Sequence, residues 1–252
     1  MLRARVIPVL LLKNKGLVKT IKFDKSKYIG DPINAVKIFN DKEVDEIVVL
    51  DIEASKQNRK PNFELIKSIA EECFMPLGYG GGISELDDIK KLFALGVEKV
   101  IINNAALNDP KLITEAAKIF GDQSIVVCVD VTKNFWGKYL PFNHTKQKGI
   151  DKDILLYINE IISAGAGEII LNSVDLDGTM NGYDIKLIEK IANQISVPLV
   201  VCGGAGSLND LKKAYQAGAS GLAAGSIFVY HGPHKAVLIN YPSQSQLKST
   251  LN

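Results

Sequence analysis

At 252 residues the chain has the length of one large α/β domain or two small ones, and a hydrophobic fraction of 46% is enough for a sizeable core. Charged residues at 23% and a net charge of +2 lack the clustered basic face that nucleic acid or a membrane surface requires, so neither partner is expected. The three cysteines, Cys73, Cys128 and Cys202, are odd in number, far apart and set in apolar segments. That excludes a disulfide framework and a paired zinc site, and points to reduced core thiols in a cytoplasmic protein.

The first apolar run, residues 6–12, follows two arginines as a signal peptide would. It contains Pro8, has about half the usual apolar length and lacks a small-residue cleavage site, so it reads as a buried first strand. Further strands are expected at 46–51, 76–79, 99–102, 124–130, 168–172, 198–202 and 221–224, each nearly continuous in apolar character as buried parallel strands are. Amphipathic helices lie between them. Leu65, Ile66, Ile69, Ala70 and Cys73 repeat at helical spacing, as do Ile154, Leu155, Ile158, Ile161 and Ile162, and again Ile188, Ile191, Ala192 and Ile195. Gly96, Gly121, Gly165 and Gly218 end helical stretches, where only glycine takes the left-handed turn freely. Eight strands with alternating crossovers and no linker predict a single (β/α)8 barrel over residues 1–252. No stretch reaches the ~18 apolar residues of a transmembrane helix.

An internal echo divides this barrel in two. Leu77-Gly78-Tyr79-Gly80-Gly81-Gly82 recurs as Leu199-Val200-Val201-Cys202-Gly203-Gly204, and Glu46-Ile47-Val48-Val49-Leu50-Asp51 recurs as Glu168-Ile169-Ile170-Leu171-Asn172-Ser173. The offset of roughly 120 residues is too long for a solenoid and fits a two-fold repeat of half-barrels.

Glycines at a strand's C-terminal end let backbone N–H groups close on an anion, aided by the next helix's dipole. Gly80-Gly81-Gly82 and Gly203-Gly204 occupy such ends, with partner loops Asn103-Asn104-Ala105 and Ala224-Gly225-Ser226. Because the pair recurs in each half, two phosphate sites are expected at one barrel mouth. One takes Gly82, Asn103 and Asn104; the other takes Asp177, Gly178, Gly204, Gly225 and Ser226. Acidic residues also fall at strand ends: Asp51, Asp130, Asp175 and Asp177. Asp51 is expected to hold loop amides or a lysine such as Lys19, and Asp130 to work as a general acid or base. His231 and His234 sit beside Gly232 and Pro233 without a third ligand, so no metal is expected. Trp136, Tyr139 and Phe142 lie in a polar loop that is either a lid or a packed connection.

These motifs together resemble the cyclase subunit of imidazole glycerol phosphate synthase. Arg5-Val6-Ile7-Pro8, Gly30-Asp31-Pro32, Leu50-Asp51-Ile52, Gly80-Gly81-Gly82-Ile83, Val129-Asp130 and Gly203-Gly204-Ala205-Gly206 carry the likeness. So does the run Asp175-x-Asp177-Gly178-Thr179-x-x-Gly182-Tyr183-Asp184, and the match covers nearly the whole chain in order. The resemblance implies a separate glutaminase subunit whose ammonia travels through the barrel. At the far mouth ammonia attacks a ribulosyl intermediate with a phosphate at each end, giving imidazole glycerol phosphate and an aminoimidazole carboxamide nucleotide. No cofactor is expected. It also implies an ammonia gate of two basic and two acidic residues at the strand starts, matched here by Arg5, Glu46, Lys99 and Glu168.

One position departs. The family's chemistry needs aspartates on strands one and five. Asp130 matches the second, but Leu11 stands at the first, and losing one partner of an acid–base pair typically costs about 10²–10⁴-fold. A barrel with both phosphate sites and the gate but one acid missing resembles a side branch linked to surface-polysaccharide and nonulosonic-acid genes. Residues 10–16 and 228–244 carry that likeness. It implies a glutaminase-like partner, a sugar amidotransferase downstream, and ammonia delivery for an acetamidino group. The alternatives are the histidine-pathway cyclase itself and a non-catalytic scaffold for the glutaminase.

Overall fold

The computed structural model describes residues 3–251. Eight parallel strands alternate with helices: β1 (Arg5–Lys13), β2 (Ile47–Asp51), β3 (Leu77–Gly80), β4 (Lys99–Ile102), β5 (Ile125–Lys133), β6 (Glu168–Ser173), β7 (Leu199–Cys202) and β8 (Gly221–Ala224). Each pairs with its successor, and β8 pairs back onto β1 with Ile7 opposite Ala223, which closes a (β/α)8 barrel. The expected strands all form, most of them displaced at an end by one residue.

The helices are α1 (Pro32–Asp41), α2 (Phe63–Glu71), α3 (Leu86–Ala94), α4 (Asn104–Asn108), α5 (Lys111–Phe120), α6 (Ile154–Ala164), α7 (Ile185–Ala192), α8 (Leu208–Gln216) and α9 (Gln244–Leu251). Their starts are written locally. Asp31 caps α1 by accepting from the Asn34 amide, with Pro32 in the first turn, and Asn62, Asp153, Asp184 and Ser207 cap α2, α6, α7 and α8 in the same way. Such a cap stabilises a helix by about 1 kcal/mol. Gly165 ends α6 at φ 114°, the left-handed turn expected of it.

Alternation along the strands produces two apolar layers. Val6, Leu10, Leu12, Ile47, Val49, Val100 and Ile102 face the helices, while Ile7, Val9, Val48, Ile101, Val126, Ile170, Val200 and Ala223 fill the interior. The barrel is therefore packed along its middle, and open chemistry is confined to its ends.

Two strands overrun the barrel. β1 continues to Lys13 because it pairs antiparallel with 16–21, which in turn pairs with 24–30. β5 continues to Lys133, past its expected end at Asp130, because it pairs antiparallel with 139–143. Both β-hairpins rise over the strand ends, and Phe23 of the first meets Phe142 of the second edge to face at 6.1 Å. The segment holding Trp136 is thus a hairpin tip, with Trp136 itself exposed, while Phe142 and Tyr139 pack. At the seam, Tyr241 donates its buried hydroxyl to the Val6 carbonyl at 2.8 Å.

Candidate functional site

The strand ends and the two hairpins enclose a cavity of about 800 Å³, lined by Gly82, Asn103, Asn104, Asp130, Asp177, Gly178, Gly204, Gly225 and Ser226 among others. Every residue expected to bind phosphate or carry the acid–base chemistry at the mouth therefore faces one space. The glycines are there because nothing larger fits. Gly204, at φ 110°, would place a Cβ 2.1 Å from the Gly182 carbonyl oxygen, and Gly178, at φ 70°, would place one 2.1 Å from that of Thr20.

Asp130 is buried inside β5. Its Oδ2 accepts from Asn103 Nδ2 at 2.8 Å and its Oδ1 from Asn172 Nδ2 at 2.9 Å, the latter from the residue directly opposite on β6. Burial pushes its pKa up to about 6; the two amides pull it down and Asp177 pushes it up further. A carboxylate titrating there can give or take a proton near neutrality.

Leu11 lines the same cavity on β1, across the barrel from Asp130, beside Val9, Leu50 and Ile101. That wall is apolar and supplies no proton. Cys128 and Cys202 also face the interior, and burial pushes both thiols up, Cys202 to about 12, so neither is a thiolate at neutral pH. All three cysteines are free.

Asp51 holds loop amides as expected, accepting from Glu53 and Ala54 at 3.1 and 3.0 Å. Its basic partner is a correction: Arg59 donates to it at 3.0 Å, and Lys19 does not. Lys19 instead runs from the first hairpin into the mouth, where Nζ donates to the Val9 carbonyl at 2.7 Å and lies against Gly225. Burial lowers its pKa to about 8, opposed by Asp177. Burial also raises the Asp177 carboxyl, opposed by Lys19 and by the Thr20 hydroxyl that donates to it at 3.2 Å. Asp177 and Lys19 thus feel each other's charge in the buried mouth, with Lys19 beside the second glycine loop. Asp175 turns away from the cavity and clamps β5, accepting from the Thr132 hydroxyl and the Lys133 amide, each at 2.9 Å.

Sequence reasoning passed over His144 and Asn172. The second hairpin brings His144 to the cavity, with Nδ1 4.0 Å from Asp130 Oδ2 and no hydrogen-bond partner. Burial lowers its pKa to about 4, with Lys56 adding to the effect. Asn172 Oδ1 is likewise buried without a partner. A histidine 14 residues beyond Asp130 in a polar loop carries no periodic signal; only the hairpin's return places it. His231 and His234 are exposed, with His231 on a two-residue strand pairing 230–231 with 236–237. No cluster of three His, Cys, Asp or Glu side chains able to hold a metal ion occurs among the described residues.

At the opposite end, Arg5, Glu46, Lys99 and Glu168 close into a ring. Arg5 pairs with Glu46 and, at 2.5 Å, with Glu168; Lys99 reaches Glu46 at 2.9 Å and Glu168 at 3.2 Å. Both glutamates are buried. Burial works against the charge of Arg5, but Glu168 and Glu46 outweigh it and hold the guanidinium above its usual range.

The family described as histidine biosynthesis protein matches residues 5–235. The chain belongs to this family. A Pseudomonas aeruginosa protein provisionally named imidazole glycerol phosphate synthase subunit HisF2 is 52% identical over 98% of this chain and 99% of its own. A Vibrio vulnificus protein provisionally named subunit HisF3 is 50% identical over 100% and 97%. The Helicobacter hepaticus imidazole glycerol phosphate synthase subunit HisF is 43% identical over 91% of each. The chain is therefore of the HisF cyclase-subunit type. Within that type, the combination in its mouth is Leu11 facing Asp130, with His144 alongside. No helix among the described residues is long and apolar enough to cross a membrane.

Proposed function

We propose that this HisF-type barrel is the ammonia-receiving subunit of a cytoplasmic glutamine amidotransferase complex, that it binds a ligand with a phosphate at each end, and that it serves acetamidino-sugar assembly rather than histidine synthesis. The observation that carries this reading is Leu11. The mouth keeps its paired glycine loops, Asp130 and Lys19, yet one wall of the site is apolar where the family's cyclisation calls for a second carboxylate.

The phosphate sites in this reading are Gly82, Asn103 and Asn104 on one side and Asp177, Gly178, Gly204, Gly225 and Ser226 on the other. Lys19 stands beside the second, where an arriving dianion would raise its pKa again and hold its amine charged. The four-charge ring is the entrance. Two cations and two anions that satisfy each other leave no net charge to trap an ion, and the layer above it is apolar, which suits neutral ammonia rather than ammonium. A glutaminase subunit docks at that end, where Phe74, in the loop leading into β3, is 85% exposed. A sugar amidotransferase would take the product.

Complementation of a histidine auxotroph lacking its own cyclase tests the reading. No growth is expected. Growth at the rate given by an ordinary cyclase would assign the chain to the histidine pathway, the second reading, which the buried imidazole beside Asp130 favours.

A further inference from the structure

Two buried side chains with unpartnered polar atoms stand against Asp130, and one of them is a base. His144 presents Nδ1 to Asp130 Oδ2 at 4.0 Å, shut away from solvent and bonded to nothing. An imidazole nitrogen buried against a carboxylate is far more stable as N–H than as a lone pair, because a lone pair would face the anion. With Nδ1 turned to Asp130, the other ring nitrogen, Nε2, is left for whatever occupies the cavity that His144 lines. The carboxylate is fixed for this arrangement: Asn172 holds Oδ1 and Asn103 holds Oδ2. The backbone that carries the imidazole is held as well, since Asn143, itself buried, accepts from the amides of Thr145 and Lys146 at 3.0 and 2.9 Å and makes a tight turn around His144.

We propose that Asp130 and His144 form a carboxylate–imidazole dyad in which Nε2 of His144 is the base that meets the ligand. The arrangement supplies the second proton-handling group that Leu11 does not. It follows the logic by which a buried carboxylate orients an imidazole and stabilises its protonated form. The 4.0 Å gap is longer than a hydrogen bond, and such contacts close when ligand fills a site. A shift of about 1 Å in the unbonded imidazole ring is enough to make the bond. At neutral pH the imidazole is free of its second proton, because burial and Lys56 hold it neutral; the same causes weaken it as a base, and the closed contact with the Asp130 carboxylate is what lets it hold the proton it takes. The charges that bear on the pair are Lys56 from the loop after β2 and Asp177 from the loop after β6, with the Cys128 thiol below Asp130.

The step rests on the reading above, that ammonia reaches a ligand in this mouth, and takes that ligand to bear a carbonyl. Nitrogen bonds to the carbonyl carbon as the C=O π pair moves onto oxygen. The proton that leaves nitrogen lands on Nε2, its charge facing Asp130, and then passes to that oxygen.

Nitrogen-15 NMR of the imidazoles tests the pair without any substrate. The chain has three histidines, and His144→Gln identifies the signal. At pH 7.5 His144 is expected as the Nδ1–H tautomer; the ordinary Nε2–H form would overturn the dyad. The second arm measures residual ammonia-dependent turnover of the ribulosyl aminoimidazole carboxamide nucleotide. His144→Gln should lower kcat by about 100-fold or more with KM within about threefold, and unchanged kcat would overturn the base role. If the wild type does not turn over this nucleotide, the substrate reading fails, and the tautomer alone judges the dyad.

Discussion

At the strand starts, each of Arg5, Glu46, Lys99 and Glu168 has two oppositely charged neighbours, and the ring neutralises itself. At the strand ends the buried polar groups are left incomplete: His144 Nδ1 and Asn172 Oδ1 have no partner, and Asp130, Asp177, Lys19 and His144 all titrate away from their ordinary values. A satisfied cluster holds a structure in place, whereas an unsatisfied one is a place where a ligand's atoms lower the energy. The strand-end side of the barrel is therefore the one that awaits a ligand. Each end also has its own expected failure when a side chain is removed.

The largest effect is expected at the mouth. Leu11→Asp restores a carboxylate opposite Asp130 and should raise ammonia-dependent turnover of the ribulosyl nucleotide by about 100-fold, within the 10²–10⁴ range of an acid–base partner. No rise in a folded variant would mean that the mouth has changed beyond this one residue. At the other end, Lys99→Met leaves Glu46 and Glu168 sharing Arg5 alone. Stability should fall by about 3–5 kcal/mol. With the glutaminase bound, glutamate release should continue while aminated product falls about tenfold relative to it. An unchanged ratio in the folded variant would make the ring a staple and favour the scaffold role.

Gly204→Ala probes the mouth's backbone instead of its charges. The new methyl would lie 2.1 Å from the Gly182 carbonyl oxygen at positive φ, so the loop must shift. A cost of about 1–3 kcal/mol is expected, along with loss of inorganic phosphate binding by calorimetry. Gly137→Ala, also at positive φ but with nothing within 4 Å, should weaken stability less and leave phosphate binding unchanged.

The smallest effect is a cancellation. Asp130 titrates near 6 when folded, above its ordinary 3.8, so the folded chain keeps a proton that the unfolded chain has lost and stability falls as pH rises from about 4 to 6. His144 titrates near 4, below its ordinary 6.5, so the unfolded chain keeps the extra proton and stability rises over nearly the same interval. Urea melts of the wild type between pH 4.5 and 6.5 should show little slope from this pair. Asp130→Asn should leave a rising slope and His144→Gln a falling one, each on the order of 1–3 kcal/mol across the window. Parallel slopes in the two variants would mean that at least one of the two groups does not carry its shift.

The barrel was legible because its signals are local and repeated. Apolar strands, glycines after helices and the half-chain echo each report on a few neighbouring residues, and all agree. The ring was legible from the family likeness, since Arg5, Lys99 and Glu168 open strands and Glu46 immediately precedes one. The hairpins were not. Residues 16–21 hold a single lysine and 24–30 set Lys25 and Lys27 among polar neighbours, so neither shows an alternating apolar face, and they turn through Lys22 and Phe23 at positive φ, a conformation no glycine or asparagine announces there. Because those hairpins deliver Lys19 and His144 to the mouth, the electrostatics of the site were hidden with them. Arg59 was hidden in the same way: its tie to Asp51 spans eight residues of irregular loop.

Asp175 carries a mechanical meaning beyond its hydrogen bonds. It rivets the root of the second hairpin to the loop after β6, and Asp184 repeats the joint by taking the Tyr139 hydroxyl at 2.9 Å and the Lys133 ammonium at 2.7 Å. The same loop grips the first hairpin, where the Lys22 amide donates to the Asp177 carbonyl at 2.9 Å. Residues 175–184 are thus a yoke between the two arms that overhang the mouth. Displacing this one segment would therefore disturb both arms at once, the one that carries Lys19 and the one that carries His144.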